Sequence, residues 1–551
     1  MGRMTSRLRS DSASRRRGLA AIGVILIAVI ASCGGSTTRT SATATVAVAK
    51  SRRVPVVGTA ATGAPLPAGP PEVVSHAGQW PTPNHDLVNS RSVGGSITSK
   101  NVNKLQVAWT APISGVTTWG SFASAPIVVG QVVYTQDLAS TVTAYDLATG
   151  AVKWRHSFPG QTSVGPNGVS IGYGKVYGAT SDSAFALSAA TGKLLWSIRL
   201  ATNVNAGIDM APAVFDHFVY VSTVPGNTRS FYRGGVGGVL YALDAATGKV
   251  KWQFATTSPN LWSKPSSTVN SGGGLWYQPA FSPDGSMYID VANPAPFPGT
   301  ELQPWGASRP GPNLYTDSLV KLDHATGKLI WYRQVLPHDV YDWDLQLPPV
   351  LAKAGGRSIV LAGGKMGYVY AFDAKTGRSL WKRAVGIHNG HDQDNLRALH
   401  GQSMPSLPVE VYPGDFGGIL TPLAVSGGTV YVPIVDLPTT WTSQTDARHG
   451  TEHGELAALD LATGKVRWVT KFGDAAYGAA TVTNDLVFTS TYDGHLYALD
   501  RATGAIDWST KLDLSTNAPL TISGSTLIAA ASVPYGNQSP KLVVYRLSGT
   551  Q

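Results

Sequence analysis

The chain has 551 residues, only 14% of them charged, with 61 Gly and 15 Trp. An average globular protein is roughly 25% charged, so this composition argues against a charge-laced helical protein and for a turn-rich β fold. Ten basic residues and two acids precede residue 78; the remainder carries 33 basic and 31 acidic residues, so the net charge of +10 is no footprint for nucleic acid.

The chain opens with an export signal over residues 1–32. Arg3 to Arg17 form a basic region, and Gly18 to Ile30 form an apolar run too short to span a bilayer. IASC, Ile30 to Cys33, resembles a bacterial lipobox, which implies lipid on Cys33 and an anchor on the outer face of a bacterial membrane, in the periplasm or cell envelope. SRRRGL from Ser14 resembles a twin-arginine signal with Gly18 in place of the usual Phe, which leaves twin-arginine and general secretion both open. Cys33 is the only cysteine, so the chain has no internal disulfide. Residues 33–78, rich in Thr, Ala, Val and Pro, have no period and read as a disordered tether.

From residue 79 one pattern recurs seven times: an alternating apolar strand, then D-x-x-T-G-x-x-x-W, as in AYDLATGAVKW at Ala144 and ALDRATGAIDW at Ala498. Asp and Thr suit a tight turn by local hydrogen bonding, Gly supplies positive φ, and the flanks alternate as strands do. The closing tryptophans, Trp154, Trp196, Trp252, Trp331, Trp381, Trp468 and Trp508, are placed to pack between neighbouring units. Only the second copy lacks the Asp, with Ser188 instead. An eighth unit can be assembled from both ends, NKLQVAW at Asn103 and KLVVYRL at Lys541. The expected fold is an all-β, eight-bladed propeller over residues 79–551.

The repeat resembles the tryptophan-docking motif of quinoprotein alcohol dehydrogenases, eight-bladed propellers that bind pyrroloquinoline quinone (PQQ). GGGLWYQPAFSPDGSMYIDVANPAPF from Gly272, RPGPNLYTDSLVKLD from Arg309 and HDVYDWD from His338 match that family more specifically than the repeat does. The resemblance implies a metal-bound quinone, with Ca2+ or a lanthanide as the metal. It implies that Trp276 is the platform for the quinone ring and that Asn293, Asp342 and Asp344 are metal ligands. Asp342 would also be the catalytic base, taking the proton of the substrate hydroxyl as hydride passes to the quinone. Lys365 would hydrogen-bond the quinone. The substrate would be a small alcohol or sugar, and with no C-x-x-C-H haem motif the electrons would need a separate acceptor.

Three departures from the family pattern stand out. No Glu or Asp occurs between Val219 and Leu243, where the family supplies a metal-ligating Glu; Asn227 is nearest that position. Ser163 and Val164 stand where the family usually has adjacent cysteines, and the Arg that follows is missing from Pro166 to Val169. Asp209 stands where the family often has a cofactor-contacting Ser or Thr, and offers a replacement carboxylate. These departures keep two other functions open: a non-catalytic propeller lipoprotein that binds proteins, of the outer-membrane-assembly type, and a degenerate member that binds quinone without turnover. Taken as bare residues, His338 and Asp339 read as structural, and the cluster His388, His391, Asp392 and Asp394 reads as a solvated loop.

Overall fold

The computed structural model describes residues 68–548 apart from 118, 164, 227–231, 233, 235, 258–268 and 535–537. The signal segment, Cys33, most of the tether, Val164 and Asn227 lie outside the described residues. Eight sheets with four antiparallel strands each follow one another along the chain, and the third and seventh carry one short strand more, Ala206–Gly207 and the parallel Ser92–Val93. The first runs from Ile127–Val129 to Val152–Ser157, the second from Ser170–Gly172 to Leu194–Arg199, and the third from Ala213–Phe215 to Val250–Ala255. The fourth runs from Ala280–Phe281 to Leu329–Gln334, the fifth from Val350–Ala354 to Ser379–Ala384, the sixth from Ala424–Ser426 to Val466–Phe472, and the seventh from Thr481–Thr483 to Ile506–Lys511. The eighth takes three strands from the C-terminal end and its outer strand, Leu105–Pro112, from the other end, in register from Leu105↔Leu547 to Pro112↔Lys541. First strands other than Val350–Ala354 are almost wholly buried and fourth strands alternate with solvent, so the sheets run from the centre outward.

The repeat explains both the turn and the joint. Asp146 Oδ1 accepts the N–H and the hydroxyl of Thr149 at 3.0 and 2.9 Å, and Asp244, Asp323, Asp373, Asp460 and Asp500 do the same. Ser188 keeps the turn through its backbone carbonyl, which accepts Gly192 N–H at 2.8 Å. The indole N–H of Trp109 and of every closing tryptophan except Trp508 donates to the turn of the next blade, from Trp109 to Leu147 O at 3.0 Å round to Trp468 and Arg501 O at 3.1 Å. Its ring lies over the turn glycine, and a Cβ there would fall 2.5 to 2.9 Å from indole atoms at all seven turns. At the eighth joint Trp508 meets Tyr545 edge-on at 6.3 Å. The joints therefore link the blades into a closed ring.

Residues 68–96 seal one face of that ring. Glu72 accepts Tyr173 and Gly174 N–H in the second blade, Ala68 O accepts Asp216 N–H in the third, and Trp80 bridges Val128 in the first. The carbonyls of Leu87, Val88, Ser90 and Arg91 then take N–H groups from the fourth, fifth, sixth and seventh blades, and Ser96 reaches Gly524 of the eighth. Every contact falls on a first strand or the hairpin after it, so the segment lies on the face that carries those hairpins. Arg91 locks it: its fully buried guanidinium donates to Pro83, Ala480 and Leu520 carbonyls, Asn84 Oδ1 and Thr481 Oγ1. The disordered tether expected through residue 78 therefore gives way to packed chain by residue 68, with a short helix at Pro71–Ser75. The cause is specific hydrogen bonding by Glu72, which a compositional reading does not register.

Gly464→Ala puts a methyl 2.6 Å from Trp381, whereas a methyl at Gly356 meets nothing within 4 Å; both glycines have positive φ. Both substitutions carry the left-handed strain of about 1–2 kcal/mol, and Gly464→Ala should cost about 1–3 kcal/mol more through overpacking. Urea unfolding of the two variants checks the difference.

Candidate functional site

Among the described residues, the candidates Asp209, Trp276, Asn293, Asp342, Asp344 and Lys365 sit on the connections that leave the unsealed face. Asp209 and Trp276 lie between the fourth strand of one blade and the first of the next, as do Asp342 and Asp344. Asn293 and Lys365 follow the second strands Ser286–Val291 and Arg357–Gly364.

Four of these residues form one buried, hydrogen-bonded cluster. Asn293 donates from its backbone N–H to Asp344 Oδ1 and from Nδ2 to Asp342 Oδ1, both at 2.9 Å. The Lys365 ammonium bridges Asp342 Oδ2 at 2.7 Å and Asp344 Oδ2 at 2.8 Å. Burial pushes the Asp342 carboxyl well above the usual carboxylate range, against the pull of Lys365. Burial works against the charge on Lys365 too, but Asp342 and Asp344 outweigh it and hold its pKa above the lysine range. One ammonium between two carboxylates leaves the cluster short of positive charge, a costly state in an apolar cup.

Other acids in the segment hold its shape. Asp339 accepts Tyr341 and Trp343 N–H at 3.1 and 3.0 Å, which fixes the turn where Asp342 adopts φ 64°. His338 bonds the Gly311 and Trp305 carbonyls at 2.9 and 3.2 Å. Arg309, fully buried, reaches the carbonyls of Pro296 and Asp339 and Asn313 Oδ1, and so ties the two motif segments together. The structural reading of His338 and Asp339 holds.

The cluster at His388 divides into pairs. His388 meets Asp392 at 2.6 Å, while His391 and the Tyr341 hydroxyl both meet Asp394 Oδ2 at 2.7 Å. Through Tyr341 the second pair braces the HDVYDWD segment, a part sequence reasoning did not assign. Among the described residues no three His, Cys, Asp or Glu side chains are grouped to hold a metal; in the cluster above the third oxygen would come from the Asn293 amide.

Trp276 is half-buried, and its neighbour Tyr277 shares the Leu420 carbonyl with Gln346 at 3.4 and 3.2 Å. Asp209 is buried and accepts the Ser163 hydroxyl at 2.9 Å. The residue in the cysteine position is thus bonded to the acid in the Ser/Thr position. Tyr232 lies in electrostatic reach of both Asp209 and Asp342: burial, then those two acids, raises its phenol well above the usual range. Sequence reasoning missed Tyr232, and also Asp415. Burial works against the Asp415 charge, yet His449 at 2.8 Å, Thr439 at 2.6 Å and Lys365 hold its pKa low. A lone Asp in a Gly-rich run carries no signal of such a position.

The sequence profile of the family described as "Glucose/ethanol/alcohol dehydrogenase, beta-propeller domain" matches residues 80–409. That of "Outer membrane protein assembly factor BamB" matches residues 365–551. The chain is 28% identical over 427 residues, 67% of its length, to the dehydrogenase subunit of alcohol dehydrogenase (quinone) from Gluconacetobacter polyoxogenes. It is 29% identical over 406 residues, 65% of its length, to quinohemoprotein alcohol dehydrogenase from Comamonas testosteroni. The chain spans 55% of the length of each of these curated relatives. Among solved structures, a europium-containing methanol dehydrogenase superposes with a TM-score of 0.72 at 20% identity, covering 86% of this chain and all of that one.

On the second strand of the fourth blade, Asp290 is buried, and neither carboxyl oxygen has a hydrogen-bond partner at good geometry. Burial raises its pKa well above the carboxylate range, and the Gly363 N–H offsets this only in part. The folded state therefore keeps a proton that the unfolded chain loses above a pKa of about 4, and stability falls as pH rises from there through the folded pKa. Asp290→Asn should raise stability at pH 7 by about 1–3 kcal/mol and flatten that fall. Urea titrations at a series of pH values measure both.

Proposed function

Because the chain belongs to the glucose/ethanol/alcohol dehydrogenase β-propeller family, we propose that it is a PQQ-dependent dehydrogenase that oxidises an alcohol or sugar hydroxyl. The observation that carries this is the single buried cluster of Asn293, Asp342, Asp344 and Lys365 on the unsealed face. Its donors suit a hard cation: two carboxylates and an amide oxygen, all oxygen ligands, with one ammonium too few to balance them. Asn293, Asp342 and Asp344 would hold Ca2+ or a lanthanide, Trp276 would underlie the quinone ring, and Lys365 would lie at its edge. When bound, the quinone and its cation supply a hydride acceptor and a Lewis acid.

The chain's own side chains do the rest. Asp342 takes the hydroxyl proton; its raised pKa brings it nearer to that of an effective base. Lys365 steadies the carboxylate before transfer by donating to Oδ2. The Asp339 cap keeps Asp342 in its left-handed turn, and the buried rings of Tyr341 and Trp343 exclude water beneath it. The sealed opposite face leaves the unsealed face as the route for substrate. Electrons would pass to a separate acceptor. Export and a lipid anchor at Cys33, on the outer face of a bacterial membrane, complete the proposal and rest on the N-terminal sequence alone.

The second reading, a protein-binding scaffold, is favoured by the BamB match, which spans blades that contribute only Lys365 to the cluster. One experiment separates the two. The full chain is mixed with PQQ and CaCl2 or LaCl3, and quinone absorbance and dye reduction are followed over a panel of alcohols and sugars. The dehydrogenase predicts bound quinone and substrate-dependent reduction. Asp342→Asn should keep the absorbance and lower kcat about 10²–10⁴-fold, the usual range for a positioned base. A chain that binds no quinone with either metal leaves only the scaffold.

A further inference from the structure

The connection from the fifth blade to the sixth carries the pairs His388–Asp392 and His391–Asp394, which the proposed chemistry does not use. Sequence reads this stretch as a solvated loop; the structure packs it against both turns of the candidate cluster. Asp394 opens the short helix Asp394–Leu399, is buried and accepts the Tyr341 hydroxyl, and Asn395 Nδ2 donates to Pro337 O at 2.9 Å. The helix thus holds the segment that carries Asp342. His388 holds the other turn. Lys365 lies in the tight turn from Gly364 to Gly367, closed by Gly367 N–H on Gly364 O at 3.0 Å. The Gly367 carbonyl accepts Val385 N–H at 2.9 Å and His388 Nε2–H at 3.2 Å, and the Val385 carbonyl accepts the same Nε2–H at 3.2 Å. Gly367 has φ 70°, and a Cβ there would lie 3.0 Å from Nε2, so ring and turn are packed together.

Every hydrogen-bond partner of the His388 ring is an acceptor: two carbonyls at Nε2, and Asp392 Oδ1 at 2.6 Å from Nδ1. Only the imidazolium, with a proton on each nitrogen, satisfies both sides at once. Burial works against that charge, yet Asp392 and then the carbonyls outweigh it and hold the pKa above the usual 6.5. The other charged and titratable groups around the pair are Tyr368, whose ring meets His388 edge-on at 4.9 Å, Lys382 over that ring, and Asp436 of the sixth blade. His338 shows what the carboxylate adds. Its ring also meets two carbonyls, but with no carboxylate on either nitrogen burial, then Arg309, lowers its pKa to about 4. The bonds of His388 are therefore complete below pH 6.5 and are lost as pH rises through its folded pKa.

We propose that His388 is a positioning residue for Lys365: the protonated ring clamps the Gly364–Gly367 turn and keeps the ammonium at the quinone edge, and loss of one ring proton loosens it. It rests on the reading that Lys365 meets the quinone. His388 reaches the site only through the Gly367 carbonyl. Quinone binding and protonation of His388 both favour the clamped turn, so each strengthens the other by one common factor.

The full chain is titrated with PQQ at fixed CaCl2 and without substrate, over about pH 6 to 9, where the His388 charge changes. The His388 ring resonance, assigned by its absence from His388→Gln, is followed over the same range with and without PQQ. PQQ affinity should fall roughly tenfold across the range, the equivalent of a rise of about one in the His388 pKa on binding. Asp392→Asn, which still accepts the Nδ1 proton but carries no charge, should bring the midpoint of that fall to lower pH. His388→Gln, whose amide can still donate to the Gly367 carbonyl, should bind PQQ with an affinity flat in pH. A fall of the same size in His388→Gln overturns the proposal, and so does a His388 pKa that PQQ leaves unchanged. Wild type that binds PQQ equally well at every pH overturns the proposal and leaves the dehydrogenase reading in place. A chain that binds no PQQ at any pH overturns that reading, and the role of His388 falls with it.

Discussion

An indole laid over a glycine is the contact on which the ring depends. A single blade cannot bury both faces of its sheet, so its stability comes from its neighbours. The tryptophan at the edge of one blade supplies a large apolar face and an N–H; the next blade supplies a turn whose glycine leaves room for the ring and whose carbonyl accepts the N–H. The same seven residues-worth of chemistry, repeated, fixes both the spacing and the tilt between blades. Because the joint is made at the outer strand, it leaves the connections on the unsealed face to vary, and those of the fourth and fifth blades carry the candidate cluster.

Closure then makes the site possible. The segment over residues 68–96 touches all eight blades on one face, and Arg91 binds its middle through five donated hydrogen bonds with no acid described among its partners. That leaves the other face as the place where side chains from different blades can converge. Asn293, Asp342 and Lys365 come from three connections, and their meeting requires that the fourth and fifth blades be held in fixed register. The carboxylates would repel one another if the blades were free to part; the ammonium between them and the backbone donors around them hold the geometry.

Legibility in the sequence followed the range of the interaction. The D-x-x-T-G turn is local, so its hydrogen bonds could be read from residue types alone, and the pairing of Leu105–Pro112 with Lys541–Leu547 followed from an incomplete last repeat. Asn293, Asp342 and Lys365 were legible only through resemblance, because nothing in a lone Asn or Lys announces a partner tens of residues away. Asp415 and Tyr232 were not legible by either route. Their roles come from which blade each one faces, and that is set by strand register and by connections whose course no short motif records. Glu72 fails for the same reason: its partners at Tyr173 and Gly174 are a hundred residues on, and its surroundings in sequence look like linker.

Acids in this protein divide by what surrounds them rather than by where they fall in the chain. Asp339 is given two backbone N–H groups, Asp415 a histidine and a hydroxyl, and each of the turn aspartates a threonine. These are satisfied, and their work is structural or local. Asp290 is given only a poorly placed Gly363 N–H and the second oxygen of Asp317 nothing, and Asp342 and Asp344 must share one ammonium. Buried acids left short of partners are an unfavourable arrangement for the folded chain by itself. Asp342 and Asp344 become favourable together once positive charge enters the cluster, and the physical case for a bound cation rests on that pair with the Asn293 amide beside them.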